Sequence, residues 1–321
     1  MDKKIFNIGI IGTADIAYRR FLPALKRHLM FNYVGVASRD INKTSKFVDL
    51  YGGKGYGSYD DIINDKKIDV VYIPLPPALH YEWGKKALLN NKHVFMEKPF
   101  CTCQENTKEL CEIAENKNLV VYENYMFLQH RQLNFIKKLI NEKSIGEIRL
   151  IRIAFGFPFR GNSDFRYNKS LGGGALLDCG GYTIKLASYL LGEDCELKYS
   201  KLNHGKYQVD IYGSAVFENR DGLVAQVAFG MDNAYKCELE IWGEIGTILA
   251  PRIFTAPPDL DVKIYLNNNE RSQEFYLEKD DQFFNSIKYF YEMLNNGNNA
   301  ISEINSIMYQ SRYIELIGRE R

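Results

Sequence analysis

Lys98 is the residue of this sequence that is best placed for chemistry. It stands in Glu97-Lys98-Pro99, directly after an apolar run that ends at Met96. A lysine ammonium can polarise a carbonyl oxygen and can lower the pKa of a neighbouring phenol. Pro99 restricts the residue before it to extended conformations, which fixes the direction of the lysine. Taken alone, the same three residues also fit an ordinary surface lysine in a turn.

Asp178 and Tyr182 form a second pair of reactive residue types, four residues apart in a predicted helix. Residues with this spacing share one helix face. A phenol and a carboxylate on one face can serve a sugar, the phenol as proton donor and the carboxylate as hydrogen-bond acceptor. The preceding run Gly172-Gly173-Gly174 would let a backbone approach a ligand or another chain closely. An interfacial tyrosine beside a capped helix is the alternative interpretation.

The turn after the first predicted strand has the features of a phosphate loop. Gly12 and Ala17 occupy the first and last small-residue positions of the dinucleotide fingerprint, and Ala14 replaces its middle glycine. A nucleotide-free fold with a glycine-poor turn is the alternative. The residues predicted to surround the pyrophosphate are Gly12, Thr13, Ala14, Asp15, Ile16 and Ala17.

Ser38 and Arg39 predict that the dinucleotide is NADP(H) rather than NAD(H). An NAD enzyme places Asp or Glu at the end of the second strand, where it accepts from the ribose 2′-hydroxyl. Arg39 can instead stack on adenine and pair with a 2′-phosphate, while Ser38 can donate to that phosphate. Asp40 comes one residue later and is expected to point elsewhere. Arg39 could also simply solvate a helix N-terminus.

Other strand ends supply the rest of the predicted cofactor site. The carboxyl ends of parallel strands face the ligand crevice. Pro74-Leu75-Pro76-Pro77 follows the third strand and predicts a rigid wall beside the nicotinamide. His80 could line the cofactor site, and it could equally be a histidine that packs at the start of a helix. The cofactor contacts predicted here are Leu75, Pro76, His80, Glu97, Lys98 and Asn124.

The elements that position these residues alternate between strand and helix over residues 5–123. Apolar runs such as 70–73 alternate with helical patterns such as 14–29, which predicts a parallel sheet covered by helices on both faces. From residue 148 the strands are longer and alternate in polarity, which indicates a mostly antiparallel sheet with one exposed face. One helix, over 175–191, interrupts that sheet.

We therefore predict an α/β protein of two domains. Residues 1–123 form a Rossmann domain with a doubly wound parallel sheet. Residues 124–321 form an α/β domain on an open, mostly antiparallel sheet, and its C-terminal helix can pack back on the first domain. The second domain is expected to bind the substrate and to form oligomers.

The composition limits the possible classes of function. The chain has 321 residues and a net charge of +1, so no global field recruits nucleic acid or an acidic membrane. No apolar run approaches the length needed to cross a bilayer. The N-terminus lacks the layout of a signal peptide, and the six cysteines include no Cys-x-x-Cys pair. We expect a cytoplasmic protein with reduced thiols and no metal site.

The chain resembles the glucose–fructose oxidoreductase/inositol dehydrogenase family, Gfo/Idh/MocA, over nearly its whole length. The resemblance implies a Rossmann domain, a C-terminal domain on an open sheet, and catalysis by Lys98. Many members carry a histidine four residues after the aspartate, where this chain has Tyr182. The motifs that carry the resemblance are the Gly12 turn, Glu97-Lys98-Pro99, Glu123-Asn124-Tyr125-Met126 and the stretch 172–178.

Tyr182 and four further stretches, 14–20, 72–76, 229–235 and 252–258, resemble the branch of NDP-3-keto-6-deoxyhexose 3-ketoreductases. In that branch a lysine and a tyrosine flank the keto group, which implies Lys98 and Tyr182 as the catalytic residues. The implied reaction is the NADPH-dependent reduction of the C-3 ketone of a nucleotide-linked deoxyhexose. The nucleotide we expect is dTDP. A free-sugar or dihydrodiol dehydrogenase and a non-catalytic dinucleotide sensor are the alternatives.

The second domain supplies the candidate substrate contacts. The arginines among them suit a pyrophosphate, and the tyrosines suit a sugar or a base face. The family resemblance also implies a homodimer or homotetramer formed through the C-terminal sheet. The predicted substrate contacts are Arg166, Tyr167, Asp178, Tyr182, Tyr235 and Arg252.

Overall fold

A computed structural model describes residues 4–297 and 300–319 of the chain. By its packing the chain divides into two compact units, which are described separately. The first unit comprises Met1–Asn124 and Phe283–Ser311, and the second comprises Tyr125–Gln282 and Arg312–Arg321. The first unit therefore takes in a segment from the end of the chain as well as the predicted Rossmann region.

The first unit is built on a six-stranded sheet in which every pairing is parallel. Its order is β3-β2-β1-β4-β5-β6, so the direction of winding reverses between β1 and β4. The predicted doubly wound parallel sheet is confirmed, although the three-residue strand β3 was not predicted. The strands are β1 Phe6–Ile11, β2 Phe31–Ala37, β3 Lys54–Tyr56, β4 Val70–Ile73, β5 His93–Glu97 and β6 Val121–Asn124.

Helices follow most of these strands, as expected for right-handed crossovers. The helix predicted over 14–29 ends at Leu25 instead, and Leu29 is 89% exposed, so it does not belong to the apolar face that indicated the longer helix. This helix begins with a π-helical segment, Ala17–Phe21, and continues as α1. The α-helices are α1 Leu22–Leu25, α2 Ser45–Tyr51, α3 Tyr59–Asn64, α4 His80–Leu89 and α5 Gln104–Asn116.

The second unit is built on an eight-stranded sheet of order β14-β13-β12-β11-β7-β10-β9-β8. Its pairings are antiparallel except for β7 with β10, which confirms the predicted mostly antiparallel sheet. Strands β8 and β12 were not predicted. The strands are β7 Ile148–Phe157, β8 Glu196–Asn203, β9 Tyr212–Glu218, β10 Val224–Met231, β11 Lys236–Gly243, β12 Gly246–Ala250, β13 Val262–Asn268 and β14 Ser272–Leu277.

One face of this sheet is buried by a helix and the other is exposed. Helix α6 spans Arg131–Asn141, and α7 spans Gly181–Leu191 after a π-helical segment, Leu176–Gly180. Helix α7 packs on β7 and β10, whose side chains alternate between buried and exposed. Two helices follow the sheet along the chain, α8 Gln282–Asn296 and α9 Ala300–Arg319. No helix of the described chain is long and apolar enough to cross a membrane.

Candidate active site

Gly12 closes the turn at the end of β1 and lies where the sheet reverses its winding. Its N–H donates to the Ala37 carbonyl at 2.9 Å, and its φ of +103° is a conformation that L side chains rarely adopt. A Cβ at this position would lie 2.6 Å from Leu75 Cδ2. The fold therefore requires glycine here, and the turn leaves an open backbone edge at the ligand crevice of a doubly wound sheet.

The rest of the predicted phosphate loop is divided between exposed and packed residues. Thr13, Ala14 and Ile16 are partly exposed, and Asp15 is exposed and paired with Arg19. Their backbone N–H groups open the helix, where the first N–H groups have no partner within the helix and favour an anion. Ala17 is completely buried, so it packs the helix against the sheet and cannot itself touch a pyrophosphate.

Arg39 extends from the carboxyl end of β2 as an exposed cation. It makes no hydrogen bond or ion pair with any residue among 4–297 and 300–319. The carboxylate of Asp40 accepts instead from the N–H of Asn42 at 3.1 Å and caps the short helix Ile41–Thr44. Arg39 is thus free to meet a ligand, while one oxygen of Asp40 is used by the helix cap.

Ser38 lies beside Arg39 and is buried. Its Oγ accepts from the Asp40 N–H at 3.3 Å, which leaves the hydroxyl hydrogen available to donate. The strand end therefore presents one cation and one hydroxyl donor, while the exposed carboxylate of Asp40 uses one oxygen at the helix cap. That is the chemistry of a 2′-phosphate site rather than of a 2′-hydroxyl site.

The Glu97-Lys98-Pro99 turn stands at the carboxyl end of β5, with the Lys98–Pro99 peptide bond in the cis form. Glu97 Oε1 accepts two hydrogen bonds, from Tyr72 Oη at 2.8 Å and from Asn124 Nδ2 at 2.7 Å. Burial raises the pKa of Glu97, although both donors oppose this by stabilising the carboxylate. Glu97 and Asn124 therefore brace the turn that carries Lys98.

Ser286 extends this hydrogen-bond network into α8. Its Oγ donates to Asn124 Oδ1 at 2.7 Å, so the hydroxyl of Tyr122, 2.9 Å from Ser286 Oγ, is the donor in that second contact. The side-chain amide of Asn124 is thereby fixed, with its oxygen towards Ser286 and its nitrogen towards Glu97. Sequence reasoning missed Ser286, because a single serine in a distant helix carries no pattern.

His80 was predicted as a cofactor contact, whereas the structure buries its ring completely. Its Nε2 lies 2.7 Å from the Leu75 carbonyl and its Nδ1 lies 2.8 Å from the Pro99 carbonyl. Burial lowers the pKa of His80 to about 4, so the ring is neutral at pH 7 and donates to one carbonyl, which its tautomer decides. His80 thus supports the loops after β4 and β5 from behind and does not face a ligand.

Tyr182 lies in the first turn of α7 within the second unit and is 6% exposed. Aromatic rings surround it, with the centroids of Tyr125 at 5.3 Å, Phe155 at 5.2 Å and Phe254 at 5.6 Å. Its hydroxyl lies 3.6 Å from the sulfur of Met126. This packing fixes the direction of the phenol, which a general acid requires.

Arg166 was predicted to bind a pyrophosphate, but in the structure two carboxylates hold its guanidinium. Its Nε donates to Asp178 Oδ2 at 2.6 Å, and one terminal nitrogen donates to both oxygens of Asp164 at 3.1 and 3.2 Å. Burial lowers the pKa of Arg166, yet the two carboxylates raise it overall. The predicted free cation is therefore already neutralised, and one oxygen of Asp178 is already used.

The glycine run before the helix serves the packing of the second unit. Gly174 has a φ of +123°, and a Cβ there would lie 2.4 Å from Asp210 Oδ1. Asp210 is buried, and its Oδ2 accepts from the Leu176 N–H at 2.6 Å at the start of the π-helical segment. Burial raises the pKa of Asp210, and the Leu176 N–H partly offsets this. The close backbone approach predicted from these glycines is therefore to Asp210, within this unit.

Tyr235 and Arg252 form a polar cluster at the surface of the second unit. Arg252 donates to the Tyr235 hydroxyl at 2.5 Å, and that hydroxyl lies 2.9 Å from Thr255 Oγ1. Tyr235 is 46% exposed, and the Arg252 guanidinium lies 5.0 Å from its ring centroid. Both side chains remain accessible to a substrate and are held in place by each other.

The sequence matches two families that together span most of the chain. Residues 6–125 match the oxidoreductase family with an NAD-binding Rossmann fold, GFO_IDH_MocA, and residues 133–249 match the GFO/IDH/MocA C-terminal domain. Several relatives carry the name dTDP-3,4-didehydro-2,6-dideoxy-alpha-D-glucose 3-reductase, and two of them are described here. The protein from Actinomadura kijaniata is 36% identical over 91% of this chain and 88% of its own length. The protein from Saccharopolyspora spinosa is 34% identical over 99% of this chain and 98% of its own length.

Solved structures are similar to this chain over nearly its whole length. The crystal structure of a 3-ketoreductase from Actinomadura kijaniata, in complex with NADP and TDP-benzene, has a TM-score of 0.95 and 34% identity. The match covers 98% of this chain and 97% of that one. An aldose-aldose oxidoreductase from Caulobacter crescentus, 19% identical with a TM-score of 0.89, shares the fold.

Proposed function

Because the chain belongs to the Gfo/Idh/MocA oxidoreductase family, we propose that it reduces the C-3 ketone of a nucleotide-linked 3-keto-deoxyhexose with NADPH, as a step in deoxysugar biosynthesis. The observation that carries the proposal is the similarity to dTDP-sugar 3-reductases over nine-tenths or more of the chain. The packed phenol of Tyr182 supports it, since the proposed reaction needs a fixed proton donor.

The first unit has residues that fit NADPH. Gly12 leaves the loop open, the helix after it presents backbone N–H groups, and Arg39 with Ser38 offers a cation and a hydroxyl for a 2′-phosphate. Leu75 and Pro76 follow β4 at the same edge of the sheet. When bound, NADPH supplies a hydride to the carbonyl carbon of the sugar.

Lys98 and Tyr182 are the proposed catalytic residues. As the carbonyl carbon gains the hydride, the electron pair of the C=O bond moves to its oxygen. The Lys98 ammonium stabilises this negative charge, and the Tyr182 hydroxyl gives the oxygen its proton. The resulting phenolate regains a proton from solvent, so the products are the alcohol and the oxidised cofactor.

Oxidation of NADPH, followed by its absorbance, tests the proposal. The substrates are TDP-, UDP-, CDP- and GDP-linked 4-keto and 3,4-diketo sugars, with the corresponding free sugars as controls. We expect turnover of at least one nucleotide-linked 3-keto sugar and none of the free sugars. Equal turnover of free sugars would identify a free-sugar dehydrogenase, and tight NADPH binding without turnover of any substrate would identify a sensor. Either result refutes the proposal.

The exposed face of the eight-stranded sheet supports a further part of the proposal, a homodimer or homotetramer. Four large aromatic side chains on it are about half exposed: Tyr199, Tyr212, Trp242 and Tyr276. A face that exposes several large aromatic side chains is typical of a protein–protein interface. We expect an oligomeric mass by light scattering, and a shift towards monomer in Trp242→Lys. A monomeric mass of the unmodified chain at micromolar concentration contradicts this part.

The same proposal places the enzyme in the cytoplasm. All six cysteines are free thiols, and five of them are buried. Free thiols are typical of a reducing compartment. Recovery of the protein in the soluble cytoplasmic fraction of its source cells tests this.

A further inference from the structure

The segment 252–256 lies between β12 and β13 in the second unit and forms neither helix nor strand. Three of its five residues are nonetheless buried, namely Ile253, Phe254 and Ala256. Irregular segments usually run over the surface, because their backbone N–H and C=O groups find no regular partners inside a protein. The burial of this segment therefore depends on partners that other parts of the unit supply.

Two buried glutamines hold the ends of this segment. Gln132 Nε2 donates to the Arg252 carbonyl at 3.2 Å, and Gln282 Nε2 donates to the Ala256 carbonyl at 3.1 Å. A carbonyl can only accept a hydrogen bond, so the nitrogen of each glutamine amide must face the segment. Helix α6 and the first residue of α8 thus fix the two ends, although they are far apart along the chain.

Cys237, a buried residue of β11, holds the middle of the segment. Its carbonyl accepts from the Ile253 N–H at 3.1 Å, and its sulfur accepts from the Phe254 N–H at 3.4 Å. The same sulfur lies 3.6 Å from Thr255 Oγ1. Every residue from 252 to 256 therefore has a contact with a side chain or backbone group outside the segment.

The completely buried ring of Phe254 connects the segment to Tyr182, since the two ring centroids are 5.6 Å apart. Phe254 also lies 5.2 Å from the ring of Phe155 and 4.9 Å from that of Phe127, and both of these rings contact Tyr182 as well. Strand pairing holds the backbone of Phe155 in β7, whereas Phe254 belongs to no helix or strand. Its position against Tyr182 is therefore set by the contacts that hold the segment.

We propose that Gln132, Cys237 and Gln282 form a clamp that positions Tyr182 for proton transfer. The clamp holds the segment, the segment holds the ring of Phe254, and this ring limits the directions that the phenol of Tyr182 can take. Misplacing a reacting group by about 1 Å can cost about 10²-fold in rate, so residues that do not touch the substrate can act on kcat in this way. The inference rests on the proposed function, in which this phenol is the proton donor.

Turnover of a nucleotide-linked ketosugar by Gln132→Met, Gln282→Met and Cys237→Ala tests the clamp. Each methionine removes one hydrogen bond with little change in volume, because neither amide oxygen has a partner in the described part of the chain. We expect kcat to fall about five- to tenfold in each variant, the factor that corresponds to one hydrogen bond, while the KM for NADPH stays constant. Gln273→Met is the matched control, since Gln273 lies in β14 of the same unit and its buried amide oxygen also has no partner among the described residues. Its kcat is expected to stay within about twofold of the parent, because its side chain is not part of the clamp.

Two further measurements separate positioning of Tyr182 from a general loss of structure. In the Tyr182→Phe background, Gln282→Met is expected to change the residual kcat by less than about twofold, because the clamp acts through the phenol that is already missing. The solvent deuterium isotope effect on kcat of Gln282→Met is expected to exceed that of the parent, because proton transfer from a misplaced phenol limits the rate more. An additive loss in the double variant refutes the proposal, and so does an isotope effect equal to that of the parent.

Fluorine NMR of protein with a fluorotyrosine in place of Tyr182 measures the position of this ring without turnover. The ring current of Phe254 contributes to the fluorine chemical shift, so the resonance is expected to move in the clamp variants and not in Gln273→Met. If the resonance moves but the parent reduces no nucleotide-linked ketosugar, the clamp is supported and the proposed function is wrong. If the parent reduces such a sugar and kcat is unchanged in the clamp variants, the clamp is refuted and the proposed function stands.

Discussion

Replacing Arg39 with alanine is expected to weaken the binding of NADPH selectively. Arg39 is exposed at the carboxyl end of β2 and has no ion pair with the described residues. Its neighbour Asp40 uses one carboxylate oxygen to cap the helix that follows. The substitution therefore removes the one cation available to a 2′-phosphate at this strand end and leaves the phosphate loop at Gly12 unchanged.

The size of the effect follows from the exposure of Arg39. A hydrogen bond to a charged group contributes about 1.5–3 kcal/mol, and an exposed pair belongs at the lower end of that range. Since about 1.4 kcal/mol corresponds to a tenfold change, we expect the Kd for NADPH to rise about tenfold, and more at low ionic strength. NADH carries no 2′-phosphate, so its Kd is expected to change by less than about twofold. Arg39→Lys keeps the charge but loses the fork geometry and is expected to lie between the two.

Fluorescence titration of both reduced cofactors measures these constants. Lys66→Ala is the matched control, because Lys66 is an exposed cation that precedes β4, at the amino edge of the same parallel sheet. It removes one positive charge far from the strand ends that bind the cofactor. If Arg39→Ala raises the Kd values of NADPH and NADH by the same factor, the assignment of the 2′-phosphate site to this residue is wrong. A parent protein with equal affinity for both cofactors would refute the predicted preference itself.

Three further predictions concern catalysis, packing and pH. Tyr182→Phe is expected to lower kcat by about 10² to 10⁴, with the Kd for NADPH retained, because it removes only the proposed acid; near-normal turnover would leave Lys98 as the donor. Gly174→Ala is expected to lower the free energy of unfolding, measured in urea, by about 3 kcal/mol, and Gly161→Ala by about 1 kcal/mol. Both glycines have a positive φ, but only a Cβ at Gly174 would clash with a neighbour. Equal losses for the two variants would count against the clash. Burial lowers the pKa of His93 from 6.5 to about 4, and its Nδ1 accepts from a backbone N–H at 2.9 Å, so the unfolded chain takes up a proton that the folded ring excludes. Stability is therefore expected to fall as the pH drops from about 6.5 towards 4, and His93→Gln, which can still accept that bond, should flatten this part of the curve.

The parallel sheet was predictable because a strand buried on both faces is apolar throughout. Val70–Ile73 is such a strand, and all four of its residues are buried. Lys54–Tyr56 was missed because three residues around a central glycine have no periodicity. Glu196–Asn203 was missed for a different reason: it is an edge strand rich in polar residues, which protects an edge from pairing but removes the alternation that identifies a strand.

The positions of the first-unit site residues were predictable from topology. In a doubly wound sheet, a residue that directly follows a strand must lie at the ligand edge, which gave the positions of Gly12, Arg39 and Lys98. The residue that completes the brace of the Lys98 turn was not predictable in this way. Ser286 lies 162 residues from Asn124 along the chain, and only the folded packing brings them together.

The availability of a cation to a ligand is a property that sequence position alone does not determine. Arg166 and Arg39 are the same residue type, and each has an aspartate nearby in sequence. The fold gives Arg166 two carboxylates, two residues before it and twelve after it, whereas the aspartate next to Arg39 is used by a helix cap. The charge that a ligand meets is therefore what remains after internal pairing.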